Sequence, residues 1–237
     1  MRLDKYLSDA GTLSRRDTAK AVRAGRITVN GEPAGRPDMK IEAEKDEVAL
    51  DGEIISPSYG CWILLNKPAG YVSVTEGRDG PCVMELLPDR LRRIGLFVCG
   101  RLDKNTTGLL LLTNDGTLSH RLLSPARHVD KEYAFRVKFP LSEEDLRQLE
   151  SGVDIGGYVT KPCTVSLDGP SSGKIILREG KYHQIKLMME AVHNQITNLE
   201  RIRFGPLTLP EDLPQGHFKE LSQEQIDQLK TAAGMAE

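Results

Sequence analysis

The sequence predicts an α+β fold in two domains. Three observations carry this expectation. Segments of helical spacing and segments of strand character interleave along the whole chain without internal repeats. The charge balance changes abruptly near residue 30: residues 1–30 hold seven Lys or Arg against three Asp, whereas residues 31–54 hold three against eight acidic groups. Residues 51–60 then collect Gly52, Ser56, Pro57, Ser58 and Gly60, a linker composition. The expected division is a small domain over 1–54, a linker over 55–60 and a larger domain over 61–237, with relative motion of the two as the default.

The elements follow in order. Leu3 and Leu7 are at helical spacing. Ser14-Arg15-Arg16-Asp17 reads as a capping box opening a helix that runs to about Arg23 and stops at Gly25. Its surface carries Arg15, Arg16, Lys20 and Arg23, like charges that a phosphate partner would relieve. Ile27-Thr28-Val29 is a strand, Asn30-Gly31 a two-residue hairpin signal, and Val48 to Leu50 a later strand. Beyond the linker, Trp62 to Leu65 and the alternating Tyr71 to Val74 are strand candidates, separated by Asn66-Lys67-Pro68-Ala69-Gly70. A helical stretch surrounds Val83 to Leu87, and Ile94 to Cys99 and Leu109 to Leu112 are short apolar runs expected as buried strands. Asn114-Asp115-Gly116 turns into a helix through Leu118, Leu122 and Leu123 that ends before Pro125. Lys131 to Val137 alternates as a half-buried strand, and Ser142 caps a helix that Gly152 ends. Thr160 to Leu167 and Lys174 to Leu177 read as strands, His183 to Val192 as an apolar-striped helix, and Ser222 caps a last helix.

Composition narrows the function classes. The formal net charge of -2 argues against indiscriminate nucleic-acid binding by the whole surface, while the basic first 30 residues are the footprint of a local docking site for a polyanion. No apolar run spans a bilayer and the first residues lack a signal-peptide core, so no membrane partner and a cytoplasmic location are expected. Four cysteines without Cys-x-x-Cys spacing make a zinc site unexpected. Neither Gly-rich phosphate-binding motif is present.

One loop concentrates polar chemistry. Gly100-Arg101-Leu102-Asp103-Lys104-Asn105-Thr106-Thr107-Gly108 lies between two apolar runs and displays one aspartate and one arginine. On spacing alone Asp103 reads as turn chemistry, its carboxylate bonded to nearby N–H groups, before it reads as a catalytic group.

The motif Gly-Arg-Leu-Asp-x-x-Thr-Thr-Gly-Leu-Leu resembles the signature loop of the RsuA-type pseudouridine synthases. Asn66-Lys67-Pro68 to Tyr71, Lys131-Glu132-Tyr133, and Glu179-Gly180-Lys181-Tyr182-His183-Gln184-Ile185-Lys186 resemble three further motifs of that family in the expected order. Residues 1–50, with Arg2-Leu3-Asp4-Lys5-Tyr6-Leu7, Ser14-Arg15-Arg16 and Gly25 to Gly31, resemble an S4 RNA-binding domain.

The resemblance implies a catalytic domain built on a mainly antiparallel mixed sheet flanked by helices. It implies Asp103 as the catalytic residue, Lys186 as its basic partner, Tyr133 as the flat surface under a flipped pyrimidine, and Arg101 as the group filling the vacated place in the RNA. Arg2, Arg15, Arg16, Lys20, Arg23 and Lys67 are the implied sites of RNA binding. Where relatives often carry a second basic residue after the Lys186 position, this chain has Leu187, so no role passes to it. His183 is left outside the catalytic set, and Gly205 to Leu209 is expected to shape the pocket wall. From the residues alone, Lys67 also reads as an exposed turn lysine, Lys186 as a surface helix charge and Tyr133 as strand packing.

The implied reaction breaks the N1–C1′ bond of a uridine, turns the base and rejoins it through C5. It is an isomerisation, so no cofactor and no metal are expected. The implied partner is ribosomal RNA, within an assembling small ribosomal subunit, acted on by a monomer. Thr160-Lys161-Pro162 is closer to the branch acting at position 516 of 16S rRNA than to the 23S-directed branch, which tends to Arg-Pro-Ala there, and a 23S-directed relative is the alternative. Two rivals from other classes are a non-catalytic ribosome-assembly factor that binds RNA and a fragment of an S4-containing synthetase or hydrolase. Loss of product with retained RNA affinity in Asp103→Asn separates an isomerase from a binding factor.

Overall fold

Leu3, Leu7, Ala21, Val22, Ile27 and Val48 meet in one apolar cluster, which fixes the first helices and strands against each other. The computed structural model describes residues 1–10, 12–43, 45–55, 60–76, 80–124 and 129–235. The chain forms two units; the first takes in Met1–Cys61, Leu87–Phe97 and Thr113–Asp115, and the second Trp62–Leu86, Val98–Leu112 and Gly116–Glu237.

In the first unit, helices α1 (Leu3–Asp9) and α2 (Arg15–Arg23) cover a sheet of β1 (Ile27–Val29), β2 (Glu32–Pro33), β3 (Val48–Leu50) and β4 (Glu53–Ile54). The strand order is β2-β1-β3-β4, every pair antiparallel. Asn30 and Gly31 both have positive φ, 54° and 83°, the twist that a tight two-residue hairpin requires. At the start of α2 the Ser14 hydroxyl accepts from the Asp17 N–H at 3.1 Å and donates to the Asp17 carboxylate at 2.7 Å. The expected box is thus half formed: the Ser14 side chain caps the Asp17 N–H. Most of the linker expected over 55–60 (residues 56–59) and Pro125 lie outside the described residues.

The second unit is built on a nine-stranded sheet. Its strands are β5 (Trp62–Lys67), β6 (Phe97–Cys99), β7 (Thr107–Thr113), β8 (Lys131–Val137), β9 (Thr164–Gly169), β10 (Ser172–Leu177), β11 (Ile196–Phe204), β12 (Leu207–Thr208) and β13 (Phe218–Glu220). The order is β13-β5-β7-β11-β8-β10-β9, with β6 beside β7 and β12 beside β11. β7 and β11 are parallel, whereas β11–β8, β8–β10, β10–β9 and β5–β13 are antiparallel, so the sheet is mixed and mainly antiparallel. Every residue of β7 is buried, as a central strand covered on both faces must be. Helices α4 (Gly116–Leu123), α5 (Glu143–Ser151), α6 (Gln184–Ala191) and α7 (Gln223–Ala232) belong to this unit, and α3 (Asp89–Arg93) to the first. Trp62, Leu64, Leu109, Leu111, Leu118, Phe204 and Leu229 form the larger core. Both Ser142 and Ser222 make complete capping boxes.

The structure differs from the sequence expectation at definite places. Ile94 ends α3 and Gly95 turns at φ 70°, so only Phe97–Cys99 of the expected Ile94–Cys99 strand forms. Tyr71–Val74 is no strand: Val72 makes a single bridge to Cys82, and Ser73 is spent on Leu102. β9 starts at Thr164 rather than Thr160, because Pro162 has no N–H and the Lys161 N–H bonds to Glu179. Leu207 and Leu209 pack into the core instead of lining the cleft. The largest omission is β11, whose Glu200, Arg201 and Arg203 disguise a central strand as a polar segment.

Candidate active site

β11 sets the site's frame. In register it pairs Arg201 with Gly108 of β7 on one side and with Tyr133 of β8 on the other. The loop preceding β7 and the side chain of Tyr133 are thereby brought to one end of adjacent strands. Gly108 sits at φ 95°, and a Cβ there would lie 2.4 Å from the Arg201 carbonyl oxygen, so only glycine permits this approach.

The Asp103 loop is fixed from below. Lys67 is fully buried, and its Nζ donates to the carbonyls of Pro68 and Lys104, each at 3.0 Å, and of Thr106 at 2.8 Å. Burial pushes its pKa down to about 8, the Asp103 charge opposing that shift and the Lys186 charge adding to it. The Ser73 hydroxyl donates to the Leu102 carbonyl at 2.7 Å and accepts from the Leu102 N–H at 3.2 Å. The Gly70 N–H bonds to the Lys104 carbonyl at 2.9 Å. On the other side, buried Arg201 donates through Nε to the Leu109 carbonyl (2.7 Å) and through Nη2 to that of Gly100 (3.0 Å), its guanidinium over Phe204.

Asp103, so held, meets α6. Lys186 Nζ stands 2.7 Å from Asp103 Oδ2, and His183 Nε2 stands 3.7 Å from Oδ1. The carboxylate remains about one-quarter exposed, open to a substrate and oriented by its ion pair. His183, at the N-cap of α6, and Lys186, in its first turn, thus both face Asp103. The turn leading into α6 is organised by Glu179. Its carboxylate accepts from the Tyr158 hydroxyl (2.6 Å), the Lys161 N–H (2.9 Å) and Gln184 Nε2 (2.7 Å). Burial works to raise the Glu179 carboxyl, and those three donors outweigh it and hold it below the usual range.

These groups line a cleft of about 1020 Å³, which also takes in Arg101, Tyr133, Leu122 and Arg178. Tyr133 is buried in its wall, and Arg101 is exposed. The structure therefore brings Asp103, Lys186, Tyr133 and Arg101 together. Lys67 departs from its expected place at the RNA surface. With no surface exposed and three carbonyls around its ammonium, it supports the loop from inside. In the first unit Arg15, Arg16, Lys20 and Arg23 are exposed on α2. Lys20 pairs with Asp17, and Arg2 makes a two-pronged bond to Asp4 at 3.0 and 2.7 Å.

Sequence reasoning passed over Arg201, Glu179 and Gln184 and set His183 aside. The one available signal was the Glu-Gly-Lys-Tyr-His-Gln run itself, since nothing local marks Arg201 as buried. Among the described residues no group of three or more His, Cys, Asp or Glu is placed to hold a metal, and no helix is long and apolar enough to cross a membrane. None of the four cysteines is in a disulfide.

Residues 61–191, more than half of the chain, match the family model for RNA pseudouridylate synthase. This chain belongs to the RNA pseudouridine synthase family. Residues 1–48 match the S4 domain, which places that domain at the N-terminus of the synthase. An uncharacterized RNA pseudouridine synthase of Bacillus subtilis is 40% identical over 231 residues, covering 95% of this chain and 97% of that protein. Ribosomal small subunit pseudouridine synthase A of Escherichia coli is 37% identical over 229 residues, covering 95% and 98%. A crystal structure of a pseudouridylate synthase superposes with a TM-score of 0.69 at 33% identity, covering 97% of this chain and 99% of that one. The synthase is thus an isomerase acting on RNA, with the mixed sheet and N-terminal S4 domain that the motifs imply.

Proposed function

We propose that this synthase converts one uridine of ribosomal RNA to pseudouridine, at position 516 of 16S RNA, with Asp103 as the catalytic residue. The observation that carries the assignment to Asp103 is its ion pair with Lys186 at the cleft that also holds Tyr133. A carboxylate fixed in this way is suited to attack carbon or to take up a proton. The similarity to a small-subunit enzyme over nearly the full length supports the 16S target.

In this reading the target nucleotide leaves its stack and enters the cleft. Tyr133 lies flat against the uracil. Asp103 acts on the nucleotide while the N1–C1′ bond breaks. The base turns, C5 bonds to C1′, the proton on C5 is lost and N1 gains one, so atoms and charge balance without a cofactor. Lys186 orients Asp103 and offsets its charge, and exposed Arg101 fills the place that the base leaves. The exposed cations of α2 dock on phosphates of the folded RNA. The division into a docking domain over 1–54 and a catalytic domain over 61–237 belongs to this proposal. So do a monomeric enzyme in the cytoplasm and a substrate within an assembling small subunit.

The test is pseudouridine mapping of all ribosomal RNA from cells lacking the gene, then rescued with wild type or Asp103→Asn. The expected result is one missing site in 16S RNA that only wild type restores. A missing 23S site overturns the target and keeps the chemistry; an unchanged map overturns the ribosomal assignment.

A further inference from the structure

Next to the catalytic pair stands an aromatic side chain that the reaction as described does not use. Tyr182 is 80% exposed, against the ordinary preference of a tyrosine to bury most of its ring. Its ring stacks on that of His183 with centroids 3.9 Å apart and planes 15° from parallel. His183 in turn holds Nε2 3.7 Å from Asp103 Oδ1. The two rings thus form a short column that begins at the catalytic carboxylate and ends in solvent.

The backbone that carries this column is firmly set. His183 occupies the N-cap of α6 in the left-handed region, φ 51° and ψ 25°, where residues with a side chain are uncommon. The turn is closed on both sides. The Lys181 N–H bonds to Gln184 Oε1 at 2.9 Å, and the Gln184 N–H bonds to the Lys181 carbonyl at 3.2 Å. Gln184 is itself buried and tied to Glu179. Rings mounted on so determined a turn lose little freedom when a flat ligand settles on them.

The surroundings define what that ligand is. Exposed Arg101 and Lys181 line the same cleft, the latter with Nζ 4.3 Å from the Tyr158 ring centre. An open aromatic face flanked by cations is the arrangement that holds an unstacked nucleobase while its phosphates are met by charge. We propose that the Tyr182–His183 stack is a subsite for the nucleobase adjacent to the target uridine, holding the strand splayed while the target is in the cleft. Tyr182 is then a positioning residue, and the subsite rests on the reading that the Asp103 cleft receives the target.

The test uses an RNA hairpin centred on the mapped uridine, with 2-aminopurine placed on its 5′ or its 3′ side. Binding is followed in the full-length Asp103→Asn protein carrying Tyr182, Tyr182→Phe or Tyr182→Ala. With Tyr and Phe, 2-aminopurine on one side is quenched on binding. With Ala that quenching disappears and Kd rises about tenfold, the scale of one base–aromatic stack. In the Asp103 background, kcat/KM falls by a similar factor for Tyr182→Ala and is restored by Tyr182→Phe. Equal quenching and equal Kd in the Tyr and Ala proteins overturn the subsite. Failure of the functional reading shows itself separately, as turnover by the Asp103→Asn protein.

Discussion

Lys186 Nζ lies 2.7 Å from Asp103 Oδ2, joining the loop before β7 to the first turn of α6. If that pair operates on the target nucleotide, its two halves must fail differently. Asp103→Asn removes the reacting group and is expected to lower kcat by at least about 10³-fold, the upper part of the range for a positioned acid–base group. Its Kd for RNA stays within about threefold, because the phosphate interactions that supply most affinity are untouched. A variant with substantial turnover in a single-turnover assay counts against Asp103.

Lys186→Met leaves the carboxylate in place without its orienting cation. The expected loss is about 10²-fold in kcat, the scale of a misplaced catalytic group. Lys186→Arg restores part of it. Equal rates for Met and Arg at this position would show that charge here is irrelevant.

Lys67 gives the pH dependence. Its ammonium has three protons for three carbonyls, and its pKa is depressed to about 8. Above that pH the amine has two protons, and a lone pair faces the third carbonyl. The Asp103 loop loosens, and kcat falls as pH rises through about 8. Stability moves the other way. A lysine whose folded pKa lies below its unfolded value of about 10.5 penalises the fold below about pH 8, and the penalty disappears between 8 and 10.5. Wild type should therefore gain stability relative to Lys67→Met over that interval, while Lys67→Met shows no fall in kcat near pH 8. Parallel pH profiles for the two proteins in both denaturation and kinetics would refute this.

Gly108→Ala is expected to destabilise the protein by about 3 kcal/mol, because a Cβ at φ 95° meets the Arg201 carbonyl at 2.4 Å. The β7–β11 pairing cannot open without moving the Asp103 loop, so activity declines as well. A urea midpoint within experimental error of wild type would contradict the register described.

The exposed arginines of α2 are expected to act on binding alone. Arg15→Ala with Arg16→Ala should reduce the slope of log K against log salt by about 0.7–0.9 for each phosphate that is no longer neutralised. Turnover at saturating RNA stays unchanged. An unchanged slope would remove α2 from the RNA interface.

Local signals in the sequence determined much of this molecule. Asn30-Gly31, Ser142 and Ser222 specify their turn and caps through their own side chains and backbone preferences, and the structure keeps them. The motifs around Asp103, Tyr133 and Lys186 were legible because the loop, strand and helix that carry them are each local in sequence. What only the tertiary structure decided is how distant groups share a dielectric and a register. Lys67 reads as a turn lysine until three carbonyls from two chain segments close around it. Arg201 reads as a surface charge until β11 is placed between β7 and β8. Burial of a charge depends on partners that no local pattern contains, so the buried supports of the Asp103 loop were invisible where the groups that face the cleft were not.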